Sequence, residues 1–100
     1  MVQRPRGTRD FTPEVMNRRL AFENLLESMA LSHGFKRVQT PIFESLDLFT
    51  AKSGPGVVKQ LYAFQDKSDR ALTLRPELTA PVMRMISEEM RSSPKPLRLS

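Results

Sequence analysis

One ten-residue stretch concentrates the polar groups that could meet a ligand. Leu72-Thr73-Leu74-Arg75-Pro76-Glu77-Leu78-Thr79-Ala80-Pro81 reads as a strand brought to a sharp stop at Arg75-Pro76 and followed at once by helix N-terminal residues. A strand-to-helix corner is where an open sheet presents polar groups to a small molecule. Glu77 is expected as a fixed carboxylate in the first helical turn, with the Thr79 hydroxyl two residues on. The carboxylate supplies charge and the hydroxyl a lone pair, so the two suit an ammonium group. The same residues have a purely structural reading. An acid in the first turn stabilises the helix dipole by about 0.3–1 kcal/mol with no ligand present. The residues alone leave both readings open.

Other chemistries find less support. The chain has no cysteine and a single histidine, which removes disulfides, thiol nucleophiles and a Cys/His zinc cage within these 100 residues. His33 falls in the last turn of a predicted helix, where a packing and dipole role is expected rather than catalysis. Glu88 and Glu89 are adjacent on a predicted helix, point in different directions and are expected in solvent. Gly54-Pro55-Gly56 lacks the spacing of either phosphate-binding glycine motif. Sixteen basic against eleven acidic residues leave a net charge of +5. That permits a nucleic acid or nucleotide partner, and equally a solvated basic surface. No apolar run could cross a bilayer, and the opening Met1-Val2-Gln3-Arg4-Pro5-Arg6 has no apolar stretch behind its charge. A cytoplasmic protein with no membrane association is the simplest expectation.

The elements that must position the corner follow from periodicity and punctuation. Arg4 to Phe11 is basic and carries Pro and Gly, so an extended arm is expected, its arginines free for a nucleic acid or paired locally with Asp10. Thr12-Pro13-Glu14 predicts a capped helix start and Gly34 its stop, giving a helix over 13–33 with Val15, Phe22, Leu26, Met29 and Ala30 on one face. Phe35–Thr40 reads as a strand, Pro41 as its end or an edge, and Ile42-Phe43-Glu44 as extended. Ser45 is expected to cap a short helix, and 53–56 to be a loop. Leu61–Gln65 and Ala71–Leu74 predict a β-hairpin around the five-residue loop 66–70. A second helix is expected over 76–91, with Val82, Met85, Ile86 and Met90 apolar. After the break at 92–96, Leu97–Ser100 restarts an alternation that finds no strand partner, so the chain reads as cut off inside a larger domain. The fold class expected is α+β, two helices on one side of a small antiparallel sheet.

Four segments together resemble the histidyl-tRNA synthetase family of class II aminoacyl-tRNA synthetases. Arg6-Gly7-Thr8-Arg9-Asp10, with Pro13 soon after, is similar to the family's opening signature. Gly34–Glu44 is similar to class II motif 1, with Pro41 at its proline. Leu61–Asp66 is similar to the hairpin strand that follows, and Leu72–Pro81 to the amino-acid-binding segment before motif 2. The resemblance implies that residues 1–100 are the N-terminal portion of a catalytic domain, truncated near the start of motif 2. It implies that the whole protein activates histidine with ATP and Mg2+ and transfers it to tRNA, most ATP-binding residues lying past Ser100. It places Glu77, Leu78 and Thr79 at the histidine substrate, Leu78 mainly through its backbone. It places Pro41 and Phe43 at the interface of a homodimer. No catalytic group is expected within these residues, which should be inactive by themselves. Two other functions fit the same segments: a synthetase-like regulatory subunit of the ATP phosphoribosyltransferase of histidine biosynthesis, and a non-catalytic dimerisation module.

Overall fold

A computed structural model describes residues 1–100 except the side chain of Lys52. The chain forms two compact units, one of Met1–Val38 with Leu97–Ser100 and one of Gln39–Pro96.

In the first unit, helix α1 spans Pro13–Ser32, with proline at its start and Glu14 in its first turn. Thr12 is the N-cap residue, but its hydroxyl makes no capping bond; Thr12 engages the helix through its carbonyl, which accepts from the Met16 amide at 2.8 Å. The other end closes as expected. Gly34 adopts φ +82°, its N–H donates to the Leu31 carbonyl, and the Phe35 N–H donates to Ala30, both at 3.0 Å. That 6→1 and 5→2 pair caps the last carbonyls and needs a residue tolerant of positive φ. The helix buries none of its residues, so the stripe of Phe22, Leu26 and Met29 is exposed rather than core.

The strand expected over Phe35–Thr40 is reduced to one parallel bridge, Lys36 with Leu99. Lys36 donates to the Arg98 carbonyl and accepts from the Ser100 amide, and Val38 donates to the Ser100 carbonyl, each at 2.9 Å. The closing Leu97–Ser100 segment, expected to lack a partner, therefore has one. The two segments lie some sixty positions apart, a separation at which local alternation carries no pairing information.

The second unit holds a three-stranded antiparallel sheet in the order β1-β3-β2, with β1 Phe43–Ser45, β2 Ala63–Gln65 and β3 Ala71–Leu74. The α+β class with a small antiparallel sheet is what the pattern predicts. Ser45 ends β1 instead of capping a helix; the following helix, α2 (Asp47–Ser53), starts from Leu46, whose amide extends the ladder to the Ala71 carbonyl at 3.0 Å. The loop expected at 53–56 gives way to a 3₁₀ helix over Pro55–Gln60. The hairpin loop 66–70 is as predicted, closed by the Asp66 N–H to the Arg70 carbonyl at 3.1 Å, with Asp69 at φ +60°.

Register places Glu44 opposite Thr73, and Thr73 opposite Ala63. Because side chains alternate along a strand, these share one face. Glu44 and Thr73 are buried, and helix α3 (Thr79–Glu89) reaches that face through Arg84. Phe43, Leu74, Leu72 and Phe64 share the opposite face. There the Phe43 and Phe64 rings meet edge-on at 6.1 Å, yet remain 51% and 42% exposed.

Candidate functional site

The second helix begins at Thr79, not Pro76, so Glu77 precedes the helix instead of sitting in its first turn. The reason lies in the backbone amides. A helix start leaves its first N–H groups without partners. Here the Glu77 carboxylate reaches forward and accepts from Thr79 N–H at 2.5 Å and from Ala80 N–H at 3.1 and 3.3 Å. Pro81 has no N–H to satisfy, and Val82 N–H donates to the Leu78 carbonyl at 3.1 Å. Every amide of the first turn is thereby accounted for, and the carboxylate is fixed by two adjacent donors. A carboxylate has roughly four acceptor positions. Two amides occupy the helix side and leave acceptor capacity on the open side.

That open side is concave. Glu77, Thr79, Ala80 and Met83 line a cleft of about 410 Å³ with Leu48 and Phe49 of α2. An adjoining depression of about 230 Å³ shares Phe49, Ser53 and Glu77 and adds Pro76 and Leu61. Glu77 stands at the wall common to both. The structure brings Glu77 and Thr79 together at one cleft, both exposed, and leaves Leu78 as the helix N-cap with its side chain in solvent.

Two arginines that the sequence reading did not assign a role hold this corner against the Thr40–Glu44 segment. Arg75 Nη1 donates to the Thr40 carbonyl at 2.9 Å and to its hydroxyl at 3.0 Å, while the Arg75 amide donates to the Ile42 carbonyl at 2.9 Å. Arg84 Nε and Nη2 donate to Glu44 Oε2 and Oε1, each at 2.9 Å, and its Nη1 to Glu88 at 3.1 Å. The Glu44 side chain is only 6% exposed. The hydrogen bonds that Arg84 donates to the Glu44 carboxylate hold its pKa above the ordinary guanidinium value. The sequence signal was slight: an acid at an inward strand position, and an arginine three residues past Pro81 on the same helix side.

The remaining candidates fall elsewhere. Pro41 and Phe43 are exposed. Among the described residues none of Arg4, Arg6 and Arg9 pairs with Asp10; Arg4 Nε donates to the Thr8 carbonyl at 2.9 Å, and Arg9 and Arg19 both stack on Phe11. No group of three or more acids or histidines able to hold a metal comes together among the described residues. No helix described here is long and apolar enough to cross a membrane.

A sequence profile of histidyl-tRNA synthetases matches residues 7–100. The chain belongs to the histidyl-tRNA synthetase family. A histidine–tRNA ligase of Archaeoglobus fulgidus is 56% identical over 97 residues, covering 97% of this chain and 24% of the relative. The apo histidyl-tRNA synthetase of S. aureus superposes with a TM-score of 0.83 at 40% identity, covering 99% of this chain and 24% of that one. A Bacillus halodurans structure described as an ATP phosphoribosyltransferase regulatory subunit/histidyl-tRNA synthetase superposes at 0.81 with 28% identity, over 99% and 26% of the two chains. The chain thus spans about a quarter of the length of the curated relatives it matches. The family match takes in the Glu77–Thr79 corner and the Thr40–Glu44 segment alike.

Proposed function

We propose that the full-length protein carrying this chain is a cytoplasmic histidine–tRNA ligase, and that these residues hold the α-ammonium of histidine. In that reaction the histidine carboxylate attacks the α-phosphorus of ATP to give histidyl-adenylate and pyrophosphate, and a tRNA hydroxyl then takes the histidyl group and releases AMP. The observation that carries the proposal is the Glu77 carboxylate, pinned by Thr79 and Ala80 amides at the wall of the cleft it shares with the Thr79 hydroxyl. A substrate ammonium entering a site that sheds water needs a facing carboxylate, because an uncompensated charge there is costly. Thr79 accepts one ammonium hydrogen bond and Glu77 another, with Leu78 setting the backbone between them. The pinned carboxylate does not have to be ordered when substrate arrives, which is the advantage of a preorganised site. Histidine-dependent pyrophosphate exchange tests the reading. Exchange that depends on histidine supports it, and its absence in the folded full-length protein overturns it.

The regulatory-subunit reading rests on one observation, the 0.81 superposition on the Bacillus halodurans structure. Aminoacylation separates the two, since a regulatory subunit binds without charging tRNA.

The same proposal includes a homodimer with Pro41 and Phe43 near its two-fold axis. Its support is the open apolar sheet face of Phe43, Phe64 and Leu74 together with exposed Ile42. Contiguous exposed apolar surface of this kind marks an interaction site. Light scattering on the full-length protein at micromolar concentration should give twice the chain mass. A fully active monomer would contradict it.

A further inference from the structure

The cleft's chemistry depends on where the first turn of α3 sits, because two of its amides hold the Glu77 carboxylate. What fixes that turn is therefore part of how the site works. Apolar packing fixes it only loosely. Pro81 is the one fully buried residue of the helix, and Met83 is largely exposed. Apolar contact is in any case non-directional.

The directional restraint is the guanidinium of Arg84. Its two parallel bonds to Glu44 join α3 to β1 in a fork-to-fork arrangement that sets both position and rotation. Glu44 in turn sits in the ladder opposite Thr73, which is fully buried and whose hydroxyl donates at 3.0 Å to the Leu74 carbonyl. The third arm, Nη1 to Glu88, keeps the guanidinium plane from swivelling. A continuous line of bonds thus runs from the sheet through Glu44, Arg84 and the helix to the Thr79 and Ala80 amides and the Glu77 carboxylate. Arg84 lies five residues from Thr79, about 7.5 Å along the helix axis. A tilt of about 10–20° at the fork would displace the first turn by about 1–3 Å, beyond the tolerance of a working site.

We propose that Arg84, held by Glu44, is a positioning residue for the ammonium corner, setting the first turn of α3 and through it the Glu77 carboxylate. The proposal rests on the reading of Glu77 as a ligand of the substrate ammonium. It concerns specificity of position more than stability, since a buried ion pair replaced by apolar residues of similar volume is often tolerated.

The test is histidine-dependent pyrophosphate exchange in the full-length protein with four proteins compared: parent, Arg84→Lys, the double variant Glu44→Leu/Arg84→Met, and Glu77→Gln. The double variant replaces the pair with apolar bulk, and Arg84→Lys keeps the charge while offering a point donor in place of a fork. The expected result is a rise in KM for histidine of 3–10-fold in Arg84→Lys and at least 10-fold in the double variant, with KM for ATP within twofold of parent. A merely structural role behaves differently: a smaller folded fraction lowers kcat and leaves both KM values unmoved. That pattern, or an unchanged histidine KM in Arg84→Lys should the double variant not fold, overturns the proposal. Glu77→Gln separates the failures. If it raises KM for histidine while the Arg84 variants do not, positioning alone is wrong; if it leaves KM unchanged, the corner is not the site and both readings fall.

Discussion

Glu44 and Glu77 both anchor α3, one from the sheet and one from the corner, and the protein treats the two carboxylates in different ways. Glu44 is buried, with both oxygens taken by a single arginine. Glu77 is exposed, held from one side by backbone amides and open to a cleft on the other. A charge sealed against one rigid partner can do no more than hold. A charge fixed on one side and free on the other can bind. The difference lies in the partner: a guanidinium neutralises a carboxylate, whereas two amides orient it and leave its charge unspent.

The largest expected effect comes from breaking the sealed pair. Glu44→Ala leaves Arg84 without its fork at a site from which water is mostly excluded. Losing one member of a buried pair costs about 3–5 kcal/mol. With the Arg84 side chain 26% exposed, the lower end, about 3 kcal/mol, is expected. Urea unfolding of the full-length protein measures it, and a loss under 1 kcal/mol would mean that solvent already compensates Arg84.

Next comes the open carboxylate. Glu77→Gln keeps shape and removes charge. Histidine binding should weaken by about 1.5–3 kcal/mol, the scale of a charge-assisted hydrogen bond, with ATP affinity much less affected. The amide oxygen of glutamine still accepts a bond from the first turn, so the melting temperature should move little. A fall in melting temperature with histidine KM unchanged would make Glu77 a helix cap and nothing more, and the comparison with Glu44 would lose its meaning.

Arg75 tests whether the corner is held at one point or two. Its Nη1 meets the Thr40 carbonyl and hydroxyl, and Thr40 is itself buried. Arg75→Met should cost about 1–2 kcal/mol by leaving buried acceptors unpaired. The Arg75 amide bond to Ile42 survives the change and keeps the ladder intact. Differential scanning calorimetry reads the loss. An additive effect with Glu44→Ala would show two independent ties, since coupled neighbours depart from additivity.

What the sequence made legible follows the same division. Glu77 and Thr79 lie within one short run, and a strand ending in Arg75-Pro76 announces a corner, so the corner itself could be read locally. The hairpin loop 66–70 and the Gly34 stop are local as well, each set by turn residues. The sealed pair is not local. Glu44 and Arg84 are forty positions apart, and their meeting depends on the β1–β3 register and the phase of α3 together. The same holds for Lys36 with Leu99. The start of α3 was misplaced by three residues because Pro76 is a good first helical residue in isolation. Only the reach of the Glu77 carboxylate forward to Thr79 and Ala80 decides where the helix begins.

The smallest effect belongs to a third carboxylate, Asp66 at the hairpin tip, which is half-buried and, like Glu44, has both oxygens engaged. One oxygen accepts from the Ser68 and Arg70 amides at 2.9 Å, the other from Arg70 Nε at 2.7 Å. The Arg70 amide first, with the Arg70 side chain and the Ser68 amide, holds its carboxyl below the ordinary carboxylate range. A carboxyl lowered on folding stabilises above its unfolded pKa, and that contribution fades as pH falls through the folded value. Asp66→Asn should therefore lower the melting temperature slightly at neutral pH and not at all in strong acid, where the native carboxyl is itself protonated. Amides carry most of the interaction, so added salt, which weakens the exposed Arg70 pair, should leave most of the difference in place. Melting curves of parent and variant from neutral pH into acid, with and without salt, decide it. A gap that stays constant with pH would show that the side chain's shape, not its charge, closes the hairpin, and a gap abolished by salt would show that Arg70 acts through its guanidinium alone.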